Sequence, residues 1–366
     1  MVVSILSFTT IPQASITCSS FYINLPIGVV SAGIIFLVFK TPKQSVSEEA
    51  RHTTLTQKIL HMDLIGAFTI IAAVICLLLA LQWGGITKPW NSSDVIGTLI
   101  GFGLITIVFV VIEVYQGEHA LMAPHILTKR LIYVGCAFNF FLGAAFFVLL
   151  YYLPVYFQSL QGISAEQSDI RNLALIIAVT VFTIISGISI TLVGIFAPFV
   201  IVGSAIATVG AGMIYTLSSS SPSPAWIGYQ ALAGTGLGLC FQIPIMVGQA
   251  LAAAEDVTTT TALLMFFQTL GGAFFVSAAQ TGFTNQLIKS LGKYAPDISP
   301  LAVLQTGVTN IQATFGPDHL VAIQAAYADG LHVVFILVIA LAGCSVLISL
   351  ATPWTSVKGK AVGGAA

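Results

Sequence analysis

Charge is what this sequence lacks. Only 7% of its 366 residues are Asp, Glu, Lys or Arg, where soluble domains carry about a quarter. So few charges cannot clothe a water-exposed surface of this size, and a soluble globule is excluded. Twelve basic residues against thirteen acidic ones leave a formal charge of -1, so there is no basic face for nucleic acid. Of the five cysteines, Cys76, Cys136, Cys240 and Cys344 lie inside apolar runs and Cys18 stands alone before the first. No pair has metal or redox spacing. The six histidines fall mostly in polar segments and none forms a His-Glu-x-x-His pair. No Gly-x-Ser-x-Gly elbow appears. An enzyme has no residues to stand on, and neither cofactor nor metal is expected. The N-terminus lacks a basic region followed by a cleavage site, so no signal peptide is predicted.

What is present is apolar: 57% of the chain. The apolar residues gather in nine stretches, about 22–39, 64–82, 95–115, 131–157, 171–192, 197–217, 225–249, 260–282 and 330–351. Most are about long enough for a helix to cross the roughly 30 Å hydrocarbon core of a bilayer. The expected fold is an all-α integral membrane protein with nine transmembrane helices and the lipid bilayer as its first partner. Residues 1–20, rich in Ser and Thr, form no span. Residues 40–63 make a polar linker, and SSSSPSP (218–224) a turn. The segment 283–329 is long and polar, with weak helical patches at 299–306 and 317–328. The tail, 352–366, reads as disordered.

Nine spans put the termini on opposite sides. Basic residues favour the cytoplasm. With the 40–63 linker inside, that side holds Lys40, Lys43, Arg51, Lys58, Lys129, Arg130, Lys358 and Lys360. Lys88, Arg171, Lys289 and Lys293 remain for the other side, and these account for all twelve. The N-terminus is therefore expected outside and the C-terminus in the cytoplasm. The Asn91-Ser92-Ser93 sequon then lies outside, too near the membrane for glycosylation to be expected.

The spans differ in what interrupts them. The fourth, seventh and eighth carry Asn139, Gln158, Gln230, Gln242, Gln249, Gln268 and Gln280, and Arg171 and Asn172 open the fifth. The second, sixth and ninth carry no internal amide or charge. An amide facing lipid lacks partners, so these side chains are expected to face other helices or a wet cavity. Helical spacing puts Asn139, Gly143 and Phe146 on one face, and Gln268, Gly272 and Phe275 on another. Such linings suit a bulky, mostly apolar or amphipathic substrate. The plain alternative is that each amide ties helix to helix, at about 1 kcal/mol. In the seventh span Gly234-x-Gly236-x-Gly238 and Pro244 mark a weak point for bending. On the sixth, Gly203, Ala207, Gly210 and Ala211 read as a packing seam. Glu113, an acid within a span, lies about a turn from its end, where it can snorkel; a proton relay is the rival reading. Asp169 and Arg171 are expected to pair at the interface, the rival being a gate or substrate contact.

Several stretches carry a resemblance. FYINLPIG (21–28), QWGG followed by PWNSSDVIG (82–97), Ile170-Arg171-Asn172-Leu173 and FFQTLGGAFFVSAAQ (266–280) resemble the fungal fourteen-helix drug:proton antiporters of the major facilitator superfamily. These export drugs, toxins and secondary metabolites. The resemblance covers about residues 21–351. It implies that 21–39 is the last helix of an N-terminal half. Residues 64–130 would then hold two linker helices and their loops, and 131–351 the six-helix C-terminal half. It makes the fourth, fifth, seventh and eighth spans cavity-lining, much as the amides do. On that basis the substrate-binding candidates are Asn139, Gln242, Phe267 and Gln268, with Tyr151 and Gln158 near the outer mouth. Arg171, Gly234, Gly236, Gly238 and Pro244 are the gating or hinge candidates.

The chain departs from the family pattern at several points. Ile16-Thr17-Cys18-Ser19-Ser20 stands where Trp-Arg-Trp is usual, Asp169 where glycine is, and Ala174 where proline is. Five helices and the loop and antiporter signatures they carry are not in the sequence, and residues 1–20 match nothing. A truncated chain or a mis-started gene model is expected. Most of the family's proton-coupling acids lie in the segment not present, so proton coupling is implied without a residue to assign. The expected function is proton-coupled efflux across the plasma membrane. The alternative is a non-transporting remnant or a membrane-embedded partner of a full-length transporter.

Overall fold

The computed structural model describes residues 24–38, 63–84, 88–117, 122, 124–254, 256–306 and 315–356. Its elements are helices: α1 (Asn24–Val38), α2 (Leu64–Trp83), α3 (Ser93–Gln116), α4 (Pro124–Leu127), α5 (Arg130–Gln161), α6 (Ala165–Val193), α7 (Ala197–Tyr215), α8 (Ser223–Cys240), α9 (Ile243–Leu251), α10 (Val257–Tyr294), α11 (Pro300–Thr306) and α12 (Pro317–Ser349). No strand occurs among the described residues. Eight helical segments are long and apolar enough to cross a membrane, with α8 and α9 together forming one of them. The expected ninth, α1, has 15 residues, about 22 Å of helix. It belongs to a unit of its own, residues 1–60. The N-terminal segment, nearly all of the 40–63 linker and Lys358 and Lys360 of the tail lie outside the described residues, and with them most of the basic residues behind the expected orientation.

Within residues 61–366, α2 and α3 form a hairpin closed at both ends. At one, Asp63 caps α2 by accepting from Gly66 N at 2.6 Å and also accepts from Gln116 Nε2 at 2.7 Å. At the other, Lys88 pairs with Asp94. The hairpin meets the bundle through α2, where Thr281 Oγ1 on α10 donates to Leu81 O at 2.7 Å.

The remaining helices make a six-membered bundle. Its neighbours are α6 with α8, α8 with α7, α7 with α12, and α5 with α10 and α12. Between greasy helices in lipid there is little hydrophobic drive, so association depends on close packing. Glycine supplies it. A Cβ on Gly234 would lie 2.6 Å from Leu175 O, and one on Gly238 2.5 Å from Val179 O, both on α6. On the other side of α8, a Cβ on Gly236 would collide with the Ala207 backbone of α7, and one on Gly210 with Ala233. The expected seam on the sixth span, Gly203 to Ala211, is therefore the surface against which α8 packs. On α5, a Cβ at Gly143 would fall 2.7 Å from Gln268 O of α10.

Helix limits differ from the hydropathy limits. Helix α10 runs about three turns past the apolar stretch, and α12 starts about three turns before it, at Pro317. The expected patch at 317–328 is thus the first part of α12. The two overhangs meet, Ser290 Oγ donating to Asp329 Oδ2 at 2.7 Å. The seventh span is broken between α8 and α9 at Phe241–Gln242. Pro244 has no N–H for the Cys240 carbonyl and crowds it. Hydrogen bonding resumes from Met246 N to Gln242 O at 3.0 Å.

The glycine seams predict an asymmetry. Gly236→Val must push α7 off α8 and is expected to destabilise by about 1–3 kcal/mol or more. Gly212→Ala, whose Cβ would meet open space, is expected to be neutral. Thermal unfolding of the detergent-solubilised chain, followed by size-exclusion recovery, reads the difference.

Candidate functional site

The predicted polar residues separate into buried and exposed sets. Asn139, Asn172 and Gln230 are 0% exposed and Gln268 is 6% exposed. Gln242, Gln249, Gln280 and Tyr151 are exposed, and Gln158 and Phe267 are half-buried.

The buried amides fall in two helix–helix seams. In the first, between α5 and α10, Asn139 Nδ2 donates to Leu264 O at 3.3 Å. Gln268, one turn further along α10, lies against Gly143, one turn further along α5. The helices run parallel there. Asn139 Oδ1 and Gln268 Nε2 are buried without a hydrogen-bond partner. In the second, between α6 and α8, the contacts of Gly234 with Leu175 and of Gly238 with Val179 set another parallel register. One turn earlier on each helix, that register brings Asn172 level with Gln230. Their side-chain nitrogens and oxygens are also buried and unpartnered.

Arg171 does not pair with Asp169. Two residues apart on a helix, they point to nearly opposite sides. The Arg171 guanidinium instead donates to Gln161 Oε1 and lies 5.8 Å from the Phe157 ring and 5.3 Å from Trp226. Gln161 Nε2 in turn donates to Tyr156 OH at 3.2 Å, and Tyr156 OH to Ser218 O at 2.7 Å. This chain joins α5, α6 and the turn before α8 at one end of the bundle. Sequence reading missed it. The available signal was Arg171 itself, a charge at the opening of an apolar span.

Apolar clefts occur among the described residues. One lies between α2 and α10 at Ile71 and Phe266, one between α6 and α9 at Ile188 and Met246, and one among α5, α7 and α9 at Val134, Val200 and Pro244. Of the eleven predicted site residues, Pro244 lines the third of these clefts. Phe267 packs against the buried cluster that includes Ile126, Ile132 and Cys136. Gln158 lies 3.5 Å from Ser168 Oγ, and Tyr151 stacks edge-on against Tyr152 at 5.2 Å. Gly234, Gly236 and Gly238 each face a neighbouring backbone, and the break at Gln242 exposes that residue.

The acids have local tasks. Glu113 is buried and accepts from Met122 N at 2.8 Å. Asp256, just before α10, accepts from His125 Nε2 and Lys129 Nζ, both at 3.2 Å. The His125 hydrogen bond holds the Asp256 carboxyl below its usual range, with the Lys129 ammonium adding to it against a smaller cost of desolvation.

Residues 13–326 match the family model described as the fungal trichothecene efflux pump (TRI12). An MFS-type transporter of Pestalotiopsis microspora is 50% identical over 338 residues, covering 92% of this chain and 62% of the relative. The MFS-type transporter grgE of a Penicillium species is 42% identical over 346 residues, 94% of this chain and 60% of the relative. The MFS-type efflux pump MFS1 of Arthroderma benhamiae is 40% identical over 346 residues, 94% and 64%. The chain thus spans less than two thirds of the length of the curated relatives it matches.

The clamp at Asp256 predicts a pH dependence. A carboxyl whose folded pKa is depressed adds stability above its unfolded value and loses it as pH falls through the folded one. Thermal stability is therefore expected to drop below the ordinary carboxylate range. Asp256→Asn should lower stability at neutral pH modestly, by up to about 1 kcal/mol, and flatten the acid limb. Unfolding scans across pH on both chains provide the check, and parallel acid limbs would remove the clamp from the account.

Proposed function

We propose, because the chain belongs to the fungal trichothecene efflux pump family, that it works as part of a major-facilitator efflux transporter. The reading places it in the plasma membrane with its C-terminus in the cytoplasm, exporting bulky, mostly apolar or amphipathic molecules against an inward flow of protons. Asn139, Gln242, Phe267 and Gln268 would meet substrate, Tyr151 and Gln158 its exit, and Pro244 would let α9 swing relative to α8. A rocking-half mechanism uses such broken helices. The observation that carries the reading is that the family match spans most of the chain and coincides with a six-helix bundle whose one discontinuous span breaks at an exposed glutamine. The buried seams support the lining role more weakly, since amides there also tie helices together.

The test is cellular. Expressed in a yeast strain stripped of its own drug pumps, the chain should lower the steady accumulation of an apolar fluorescent dye. A protonophore should abolish the effect. Pro244→Ala and Gln242→Leu should weaken it at equal membrane abundance. Accumulation equal to that of the empty vector, with the chain present in the membrane, would reject transport by this chain.

A further inference from the structure

After α12 the chain turns back across one end of the bundle. Arg130, at the start of α5, donates from Nη2 to Ala351 O at 3.1 Å. Thr352 is buried, and Ser356 pairs in an antiparallel bridge with Ile195, in the turn between α6 and α7. Between those two fastenings, Thr352 and Pro353 roof the cleft among α5, α7 and α9, a space of about 300 Å³ counted with its mouth. Its walls include Val134 and Phe138 of α5, Phe196 just before α7, Val200 within it, and Pro244 and Val247 of α9. Pro244 leaves α9 jointed to α8, and the cleft is unfilled space on the flank of that joint. The strap also reaches both helix groups that meet there, α5 through Arg130 and the α6–α7 turn through Ile195. Helix α12 packs on α5 and α7 as well, but the strap is what crosses the end of the cleft between them. It buries little: Trp354, Thr355 and Ser356 are exposed, and so is Arg130. Segments that bury little open at low cost, ahead of the bundle they lie on.

We propose that residues 351–356 are a latch on the joint at Pro244. Seated, the strap keeps the cleft covered and holds α9 in place against α5 and α10. Released from Ile195, it uncovers the cleft, and α9 gains room to turn about Pro244 on that flank. The latch does not need the pump reading; in a pump it sets when the broken span can move.

Directly opposed residues of an antiparallel pair have Cα atoms about 4.5–5.5 Å apart, within the reach of a disulfide. Ile195→Cys combined with Ser356→Cys, in the full chain in nanodiscs, should therefore cross-link under a mild oxidant and separate again under reductant. Hydrogen exchange read by mass spectrometry then follows the amides of residues 243–251. They should exchange about tenfold more slowly in the oxidised chain than in the same chain reduced. Thr352→Gly combined with Pro353→Gly strips the roof and should speed exchange there about tenfold over the unaltered chain, with residues 223–240, clamped between α6 and α7, unchanged. Equal exchange in the oxidised and reduced forms overturns the latch, and this comparison is made within one folded chain. Failure of the two cysteines to join, in a chain that elutes as folded, overturns it too, because the strap then does not seat. In the dye assay the cross-link should reduce export and reductant should restore it. A chain whose exchange answers to the cross-link but which never lowers dye accumulation sinks the pump reading and keeps the latch. A chain that exports the dye alike in both forms, with exchange unchanged, sinks the latch alone.

Discussion

The bundle depends on how closely one backbone can approach another. In hydrocarbon a leucine gains little by leaving lipid for a neighbouring helix, so contact distance and a few hydrogen bonds must hold the helices. Here the approach is made at glycines, and α8 is the clearest case. Gly234 and Gly238 admit α6 on one side while Gly236 admits α7 on the other. With helical turns of 3.6 residues, glycines spaced by two and four positions open two faces of one helix. Helix α8 becomes a rod clamped between two others, and the bundle is built outward from it.

That geometry decides where polar groups go. A close seam shuts out lipid and solvent, so an amide within it must find a partner on the facing helix or from something bound there. Asn139 finds one in the Leu264 carbonyl. Thr183 and Ser186 of α6 reach the Gly238 carbonyl of α8 at 3.2 and 3.4 Å in the same way. These hydroxyls add a second bond to a carbonyl of the helical ladder, which fixes register without introducing charge. The same seams hold the amides that the helices leave unanswered, so the places that stiffen the bundle are also those with unused hydrogen-bonding capacity.

Much of this was legible in the sequence, and the rest was hidden for identifiable reasons. Hydropathy located the helices because a lipid-crossing segment must be apolar on all sides. It misjudged their ends because a helix does not stop where the bilayer does: the Thr284–Tyr294 stretch of α10 is polar enough to read as loop, yet Leu287, Ser290 and Leu291 are buried against the bundle. The small residues of α7 announced a seam but not its partner, since spacing on one helix does not name the facing one. The glycines of α8 read as flexibility because a lone sequence shows the missing side chain and not the backbone that fills its place. Arg171 and Asp169 were paired on proximity in the chain, whereas the helix turns them apart. The amides were recognised as special. That four of them are enclosed in seams, while Gln242, Gln249 and Gln280 are exposed, required knowing which face each helix buries.

The break at Phe241–Gln242 gains its meaning from the clamp on α8. A glycine-rich helix in open surroundings would bend at its glycines, but Gly234, Gly236 and Gly238 are each enclosed by backbone atoms of α6 or α7, so bending there would pull three helices apart. Pro244 moves the weak point beyond the clamp. Past it, α9 packs chiefly on α10 and α5, with Gly248 accommodating Leu264 and Thr260. One span therefore belongs to two helix groups, α8 to the α6–α7 side and α9 to the α5–α10 side. Its one unpaired turn lies between them. The helical ladder of that span is open at Gln242, between the part enclosed by α6 and α7 and the part that packs on α10 and α5. The exposed amide and the proline stand together for that reason: one marks where the ladder is open, and the other is what opens it.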